Sequence, residues 1–268
     1  MERAGQLGDW IFSLIPGIGV EQLLIIWAGI IFAGLLRAFT GFGFALAAVP
    51  VLALVLTPVQ TVVLTAALSL GIGVVTLFVY WRYVPRSTLA WLLFFSLVGT
   101  YLGSLLLVAF TPQDFQLWIG LSVILASILL GLVKPGKAKT AGGKSKTGSF
   151  VRGVAGLFSG VMNGAFAIPG PPVIVYVMAT EADPNRSRSL MIAFWTLSSA
   201  LALCIYGGQG LVGFQALWLF VLSFPAMVVG DKLGYSLFKR YGSSFYRRVS
   251  LATLVAIGVV SLGRACLS

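Results

Sequence analysis

Long hydrophobic runs, separated by short polar stretches, fill most of the chain. A membrane-spanning helix needs about 20 apolar residues, so most of these runs predict one transmembrane helix each. Helix starts are indicated where a capping Thr or Asp precedes a proline, at Thr57, Thr111 and Asp183. The pattern predicts an all-α polytopic membrane protein. The runs lie at 22–56, 61–80, 88–109, 115–133, 151–180, 189–206, 212–231 and 248–263.

The two halves of the chain resemble each other. Shifting the sequence by 122 residues lays 34–56 on 156–178 without a gap, and further matches follow in the same order. Such self-similarity indicates an internal duplication. We therefore predict repeat 1 at 22–133, a cytoplasmic Gly/Lys linker at 134–150 and repeat 2 at 151–268, after an interfacial segment at 1–21. The identical pairs are Gly34/Gly156, Leu35/Leu157, Phe44/Phe166, Ala45/Ala167, Pro50/Pro172, Val51/Val173 and Val55/Val177.

The basic residues indicate how the repeats are oriented. The runs 22–56 and 151–180 are too long for one crossing and contain Gly and Pro near their middles. If each folds as a broken hairpin, 15 of the 18 basic residues fall on one face, whereas single crossings divide them almost evenly. The positive-inside rule favours hairpins, so the repeats are predicted to be inverted, each a re-entrant-like hairpin plus three transmembrane helices.

The hairpin breaks are expected to lie deep in the membrane. Pro50 and Pro171 are predicted to start short return helices, and the ten residues from Pro171 to Thr180 reach only about 15 Å. Irregular backbone at that depth is tolerated where it is buried in protein or lines a wet cavity. Inverted repeats with such breaks are the usual construction of a secondary transporter.

The residues around the breaks favour an anion. Each half-helix start offers unpaired N–H groups and a partial positive charge, and Arg37 adds a full charge with a fork that binds two oxygens. Arg37 also has structural interpretations, in which it reaches an interface or pairs with a carboxylate. Close helix packing is the favoured reading of two GxxxG spacings, at 99–103 and 230–234. The predicted substrate-binding residues are Arg37, Thr40, Gly41, Gly43, Ser159, Asn163, Gly164, Gly170 and Pro171.

The composition narrows the function classes. Hydrophobic residues make up 59% of the 268 residues and charged residues 9%, against about 25% charged in soluble domains. The net charge of +11 falls between the hydrophobic runs, so the expected partner is the lipid bilayer and not nucleic acid. With no histidine and with acidic residues mostly at segment ends, we predict no catalytic residue, metal or cofactor. The sequence gives little support for a proton relay through buried carboxylates, for which Asp231 is the best remaining candidate. Cys204 and Cys266 are predicted to be small core residues.

Two stretches carry a family resemblance. The motif "GLLRAFTGFGFALAAVP" and its second copy "SGVMNGAFAIPGPP", with a charged linker between the halves, resemble the TauE/SafE sulfite exporter family. The resemblance implies a permease of the bacterial inner membrane that exports sulfite or carries organosulfonates. A permease for an organosulfonate or thiosulfate stays open as an alternative, as do a membrane scaffold without transport and a homo-oligomeric state. The second copy has Asn163-Gly164-Ala165 where the first has Gly41-Phe42-Gly43, so the two tips differ.

Overall fold

Helices make up all the regular structure in the part of the chain that the structure describes. The structure is a computed structural model, and it describes residues 18–40, 43–132, 146–181 and 183–241. The all-α class is therefore confirmed for these residues. Among these residues one 3₁₀ turn occurs, at Trp81–Tyr83. The α-helices are α1 (Val20–Thr40), α2 (Phe44–Leu52), α3 (Pro58–Tyr80), α4 (Arg86–Ala109), α5 (Pro112–Leu132), α6 (Lys146–Phe166), α7 (Gly170–Thr180), α8 (Pro184–Gly208) and α9 (Phe214–Tyr241).

The outer surface of the helices is apolar. Within the described residues, five helices are long and apolar enough to cross a membrane, namely those in α1, α3, α4, α8 and α9. Large side chains such as Phe78, Phe94 and Val108 are 82%, 62% and 60% exposed. Large apolar surfaces of this kind are typical of helices that face lipid. The chain is a multi-pass membrane protein.

Three helix starts are those that the sequence predicts. Thr57 accepts a hydrogen bond from the N–H of Gln60 (3.3 Å), and the Gln60 side chain accepts from the N–H of Thr57 (3.1 Å). At α5, the N–H of Asp114 donates to the Thr111 hydroxyl at 3.2 Å. At α8, the N–H of Asn185 donates to the Asp183 carboxylate at 2.9 Å. These bonds satisfy N–H groups that have no partner inside the helix.

The halves pack on each other reciprocally. The first helix of each half packs on the fourth of the other, so α1 contacts α9 and α6 contacts α4. Helices α3 and α8, which are each the third helix of their half, contact each other. A Cβ atom on Gly99 or Gly103 would collide with the α6 backbone, and one on Gly230 with the α1 backbone. The predicted role of the GxxxG spacings in close helix packing is confirmed.

The two breaks lie at different points of the repeat. The first break is at Gly43, just before α2, and the second lies between Phe166 and Gly170. The return helices α2 and α7 begin at Phe44 and Gly170, 126 residues apart, whereas the similar sequences are offset by 122. The second return helix therefore begins about one helical turn later in the aligned sequences than the first.

The prediction that Pro50 starts the first return helix is wrong. This helix begins at Phe44, and Pro50 lies inside it, because Gly43 has already broken the chain with φ 90°. Pro171 does lie in the first turn of α7, as predicted. With 9 and 11 residues, α2 and α7 are about 14 and 17 Å long. Each is too short to cross a hydrocarbon core of about 30 Å.

Cys204 is exposed and not in the core. The prediction failed because apolar neighbours in the sequence indicate a dry environment without separating protein interior from lipid. Cys266 lies outside the described residues, as do most of the segment 1–21 and the predicted last crossing at 248–263. Of the predicted linker 134–150, the structure describes residues 146–150, which belong to helix α6.

Candidate functional site

Both breaks open on one inner cavity. Its volume is about 60 Å³, and a cavity needs roughly 10–15 Å³ on this measure to hold one water. The space therefore admits a few waters or one small oxyanion. Its polar lining comes from α1, α3 and α8 and its backbone lining from the breaks. The lining residues are Arg37, Gly43, Phe44, Ala45, Leu46, Ser69, Gly73, Ala167, Ile168, Pro169, Gly170, Ile192, Trp195, Thr196 and Ser199.

The first break presents the start of α2 to the inner cavity. Gly43 is the residue before the helix, has φ 90° and contributes no capping side chain. The first-turn N–H groups of a helix have no intrahelical acceptor, and Phe44, Ala45 and Leu46 all line the cavity. A helix start of this kind binds anions through its N–H groups and its dipole.

The second break is built differently. Ala167 has φ 55°, a left-handed conformation that glycine adopts more easily. Its N–H donates to the carbonyl of Asn163 at 2.8 Å, so that donor is already used. Three of the next five residues are prolines, which have no N–H to offer. This break forms a rigid wall of the cavity and offers few donors.

Arg37 is held by two side chains. Its Nη1 donates to the Asp231 carboxylate at 2.6 Å and its Nη2 to the Thr76 hydroxyl at 3.2 Å. The Thr76 hydroxyl donates in turn to the carbonyl of Ile72 at 2.9 Å. The Arg37 side chain is only 14% exposed. Of the interpretations left open by the sequence, pairing with a carboxylate is the observed one, and Arg37 also lines the inner cavity.

Arg37 also lines a second, outer cavity. This cavity has a volume of about 280 Å³. Arg188 and Lys232 line it as well, so three cationic side chains face one carboxylate, that of Asp231. The Arg188 guanidinium lies 5.2 Å from the centre of the Tyr80 ring, a cation–π contact that holds it in place. The excess positive charge favours anions in the outer cavity. The other lining residues are Ala38, Thr76, Ile192 and Tyr235.

Several lining residues were not predicted. Ser69 and Gly73 lie one turn apart on α3, while Thr196 and Ser199 lie three residues apart on α8. Small and polar residues at helical spacing, within otherwise apolar segments, are a signal that could have found them. Asp231 was considered only as a proton carrier, because nothing local in the sequence links it to Arg37.

The predicted residues on α6 lie behind the cavity wall. The Ser159 hydroxyl donates to the carbonyl of Pro169, and the Asn163 amide donates to the carbonyl of Ser198 at 2.9 Å. Gly164 packs against the α4 backbone, and its carbonyl accepts from the Tyr206 hydroxyl at 2.9 Å. These bonds support the second break from outside the inner cavity, and no ligand contact is needed to explain them.

The remaining predicted residues divide into three cases. Arg37, Gly43 and Gly170 line the inner cavity together. Pro171 is buried at the start of α7. The side chain of Thr40 and all of Gly41 lie outside the described residues. Binding of substrate at these positions stays a prediction. No group of three or more metal-ligating side chains occurs among the described residues.

Comparison with known proteins identifies the family of the chain. The family model described as sulfite exporter TauE/SafE matches residues 26–261. The chain is also similar to a probable sulfite/organosulfonate exporter TauE of Cupriavidus necator, with 26% identity over 254 residues. That alignment covers 91% of this chain and 93% of the relative. No solved structure gives a significant match.

Proposed function

The chain belongs to the TauE/SafE family of sulfite exporters, and from that premise we propose that it carries sulfite out of the bacterial cell across the inner membrane. The single observation that carries this proposal is the position of Arg37. Arg37 lines both cavities and shares the inner cavity with the start of α2. A full charge and a helix start on one small cavity favour a compact oxyanion.

The size of the inner cavity favours sulfite over longer sulfonates. Sulfite has four non-hydrogen atoms, which suits a volume of about 60 Å³ on the basis of roughly 10–15 Å³ for each water. An organosulfonate has the same kind of charged head and an additional carbon chain. Its chain would have to extend past Arg37 into the outer cavity of about 280 Å³. An organosulfonate is therefore the second candidate substrate, and a panel of both classes separates them.

The orientation of the cavities supports export. We assign the segments 82–87, 134–152, 181–188 and 232–248 to the cytoplasmic side, because they hold most of the basic residues. Arg188 ends one of these segments and lies in the first turns of α8, so the outer cavity would face the cytoplasm and receive anions from there. The reciprocal packing of the halves supports inverted repeats. Single cysteines at positions 145 and 243 test the assignment, since labelling from opposite faces would contradict it.

The membrane potential can drive this reaction without a coupling ion. A potential that is negative inside contributes about 2.3 kcal/mol per charge and per 100 mV. Doubly charged sulfite would gain about 4.6 kcal/mol on leaving, which corresponds to a gradient of roughly two thousand-fold. An exporter of this kind needs an anion site that is open to the cytoplasm and of modest affinity.

Substitution of Arg37 tests the proposal. Arg37→Ala should weaken sulfite binding by roughly ten- to a hundred-fold, because it removes a charge-assisted hydrogen bond at a desolvated site. Arg37→Lys keeps the charge and loses the fork, so it should bind weakly but measurably. The measurement is sulfite affinity and flux in proteoliposomes, with an imposed potential.

Arg186→Ala is the matched control for this experiment. Arg186 is 52% exposed, faces Glu181 at 3.7 Å and does not line either cavity, so its removal should leave flux unchanged. Expression and detergent melting temperature must be equal for all variants. Wild-type sulfite flux from a correctly folded Arg37→Ala variant would overturn the proposal that this site carries the anion.

A further inference from the structure

Asp231 occupies the place that a substrate anion needs. Its carboxylate accepts from Nη1 of Arg37 at 2.6 Å, and its side chain is 31% exposed and lines the outer cavity. An oxyanion that bound the guanidinium fork would need Nη1 or Nη2. Thr76 accepts from Nη2. Both terminal nitrogens of the fork therefore already have a partner in the structure. Each of them carries a second N–H, so repulsion between the two anions, and not a lack of donors, would drive an exchange.

The two partners differ in how much their displacement matters. Thr76 is neutral and already donates to the carbonyl of Ile72. Asp231 carries the only carboxylate among the described residues that line the two cavities. Two anions close together on one guanidinium repel each other, whereas a guanidinium without any anion at a desolvated position is strongly unfavourable. One anion at a time is the favourable arrangement.

We propose that Asp231 is a tethered competitor of the substrate: an anion that arrives through the outer cavity displaces the Asp231 carboxylate from Arg37, and Asp231 returns when the anion leaves. This inference rests on the proposed function. The charged and titratable groups around Asp231 in the described residues are Arg37 on α1, Arg188 on α8, and Lys232 and Tyr235 on α9. The two other cations, Arg188 and Lys232, line the cavity into which the carboxylate would move.

The exchange explains how an arginine in a membrane can bind an anion and still release it. A bare guanidinium would hold an anion tightly and would be costly to keep empty. With Asp231 present, the pair satisfies the charge in the empty protein and lowers the net gain on binding the substrate. Asp231 is thus a residue that sets affinity and release, and it acts through Arg37.

Asp231→Asn tests this directly, because it keeps the shape and a hydrogen-bond acceptor while it removes the charge. The expected result is anion binding tighter by roughly ten-fold or more, together with a lower maximal transport rate, since release becomes slow. Methanesulfonate is a suitable probe in addition to sulfite, because its charge does not change near neutral pH. Glu181→Gln is the matched control, since it makes the same change at a carboxylate outside both cavities.

The outcomes separate this inference from the proposed function. If the wild type binds neither sulfite nor methanesulfonate, the proposed function fails. If the wild type binds and Asp231→Asn binds equally or more weakly, the function stands and the tethered competitor is overturned. Adding formate to Asp231→Ala gives a second readout: a free carboxylate should weaken anion binding competitively and restore fast release, which a purely structural role of Asp231 would not predict.

Poor recovery of folded Asp231→Asn would also test the role of Asp231. If Asp231→Asn is recovered from membranes only when sulfate or sulfite is present, the anion has replaced the missing negative charge, which supports the inference. If it is not recovered even with the anion, and Asp231→Ala with formate is not recovered either, Asp231 is needed for structure and the inference is wrong.

Discussion

The interfaces α1–α9 and α4–α6 each join the first helix of one half to the fourth helix of the other, and they differ in their chemistry. Both are close glycine-mediated contacts between a first and a fourth helix. In the repeat alignment Arg37 matches Ser159, and Asp231 matches Thr100. The α1–α9 interface therefore has an ion pair beside two cavities, while the α4–α6 interface has two buried neutral residues, Ser159 and Thr100.

The difference teaches that one packing arrangement can be kept dry at one interface and hold charges at the other. Glycines from both helices bring the backbones of α4 and α6 together, which leaves no room for charged side chains there. Near α1–α9, charged side chains have a cavity beside them. In an exporter that must open to both sides in turn, we expect the α4–α6 interface to be the closed side in this conformation.

The largest effect is expected from making the neutral interface charged. Thr100 is fully buried, and Thr100→Asp would place a carboxylate there without a cation. An uncompensated buried charge costs about 3–5 kcal/mol, so the variant should lose most of its folded yield and melt much lower. Thr100→Val, which removes the hydroxyl without adding charge, is the control. A stable Thr100→Asp protein would show that this interface is wet, and the comparison would fail.

A smaller effect is expected where the halves meet at α3 and α8. A Cβ atom on Gly73 would lie 2.5 Å from Oγ1 of Thr196, and both residues line the inner cavity. Gly73→Ala should cost about 1–3 kcal/mol of stability from overpacking and should weaken sulfite binding. In Gly207→Ala the added Cβ meets nothing within 4 Å. If Gly73→Ala keeps the melting temperature and the sulfite affinity of the wild type, as the control Gly207→Ala should, the cavity is not confined at Gly73.

The smallest effect is expected from exchanging the residues at the breaks. Ala167 has φ 55° and Gly43 has φ 90°, so Ala167→Gly makes the second break resemble the first. Ala167→Gly relieves left-handed strain in the folded state but gives the unfolded chain more conformational freedom. Because these effects oppose each other, the free energy of unfolding should rise by less than about 1 kcal/mol. Gly43→Ala should instead destabilise by about 1–2 kcal/mol. Thermal melts measure both, and equal shifts in one direction would contradict the assigned conformations.

The sequence predicted those parts of the fold that local chemistry determines. Each capping residue at a helix start bonds to the first turn of its own helix. A GxxxG spacing predicts close helix packing whichever helix is the partner. The ion pair was beyond reach because Arg37 and Asp231 are 194 residues apart, and hydrophobic pattern carries no information about which faces meet. Cys204 was misplaced for a related reason, since lipid and protein interior select similar residues.

The start of the first return helix, and not the position of the break, was predicted incorrectly because two signals compete. Gly41 and Gly43 come well before Pro50 in the sequence, and proline is a strong sequence signal for a helix start. A proline inside a helix removes one hydrogen bond, which a short, buried helix such as α2 tolerates. In the second half Pro169 and Pro171 lie together at the break, so the same reasoning succeeded there.

The one-turn displacement between the breaks has a consequence for how two similar halves of one chain can come to differ. No insertion or deletion separates the aligned stretches 34–56 and 156–178, yet their interruptions differ by four positions. Substitutions between glycine, alanine and proline are enough to slide an interruption along a helix. Point substitutions alone can thereby give one break N–H donors that face the cavity and make the other a wall with few donors. Two similar halves can in this way acquire different binding properties.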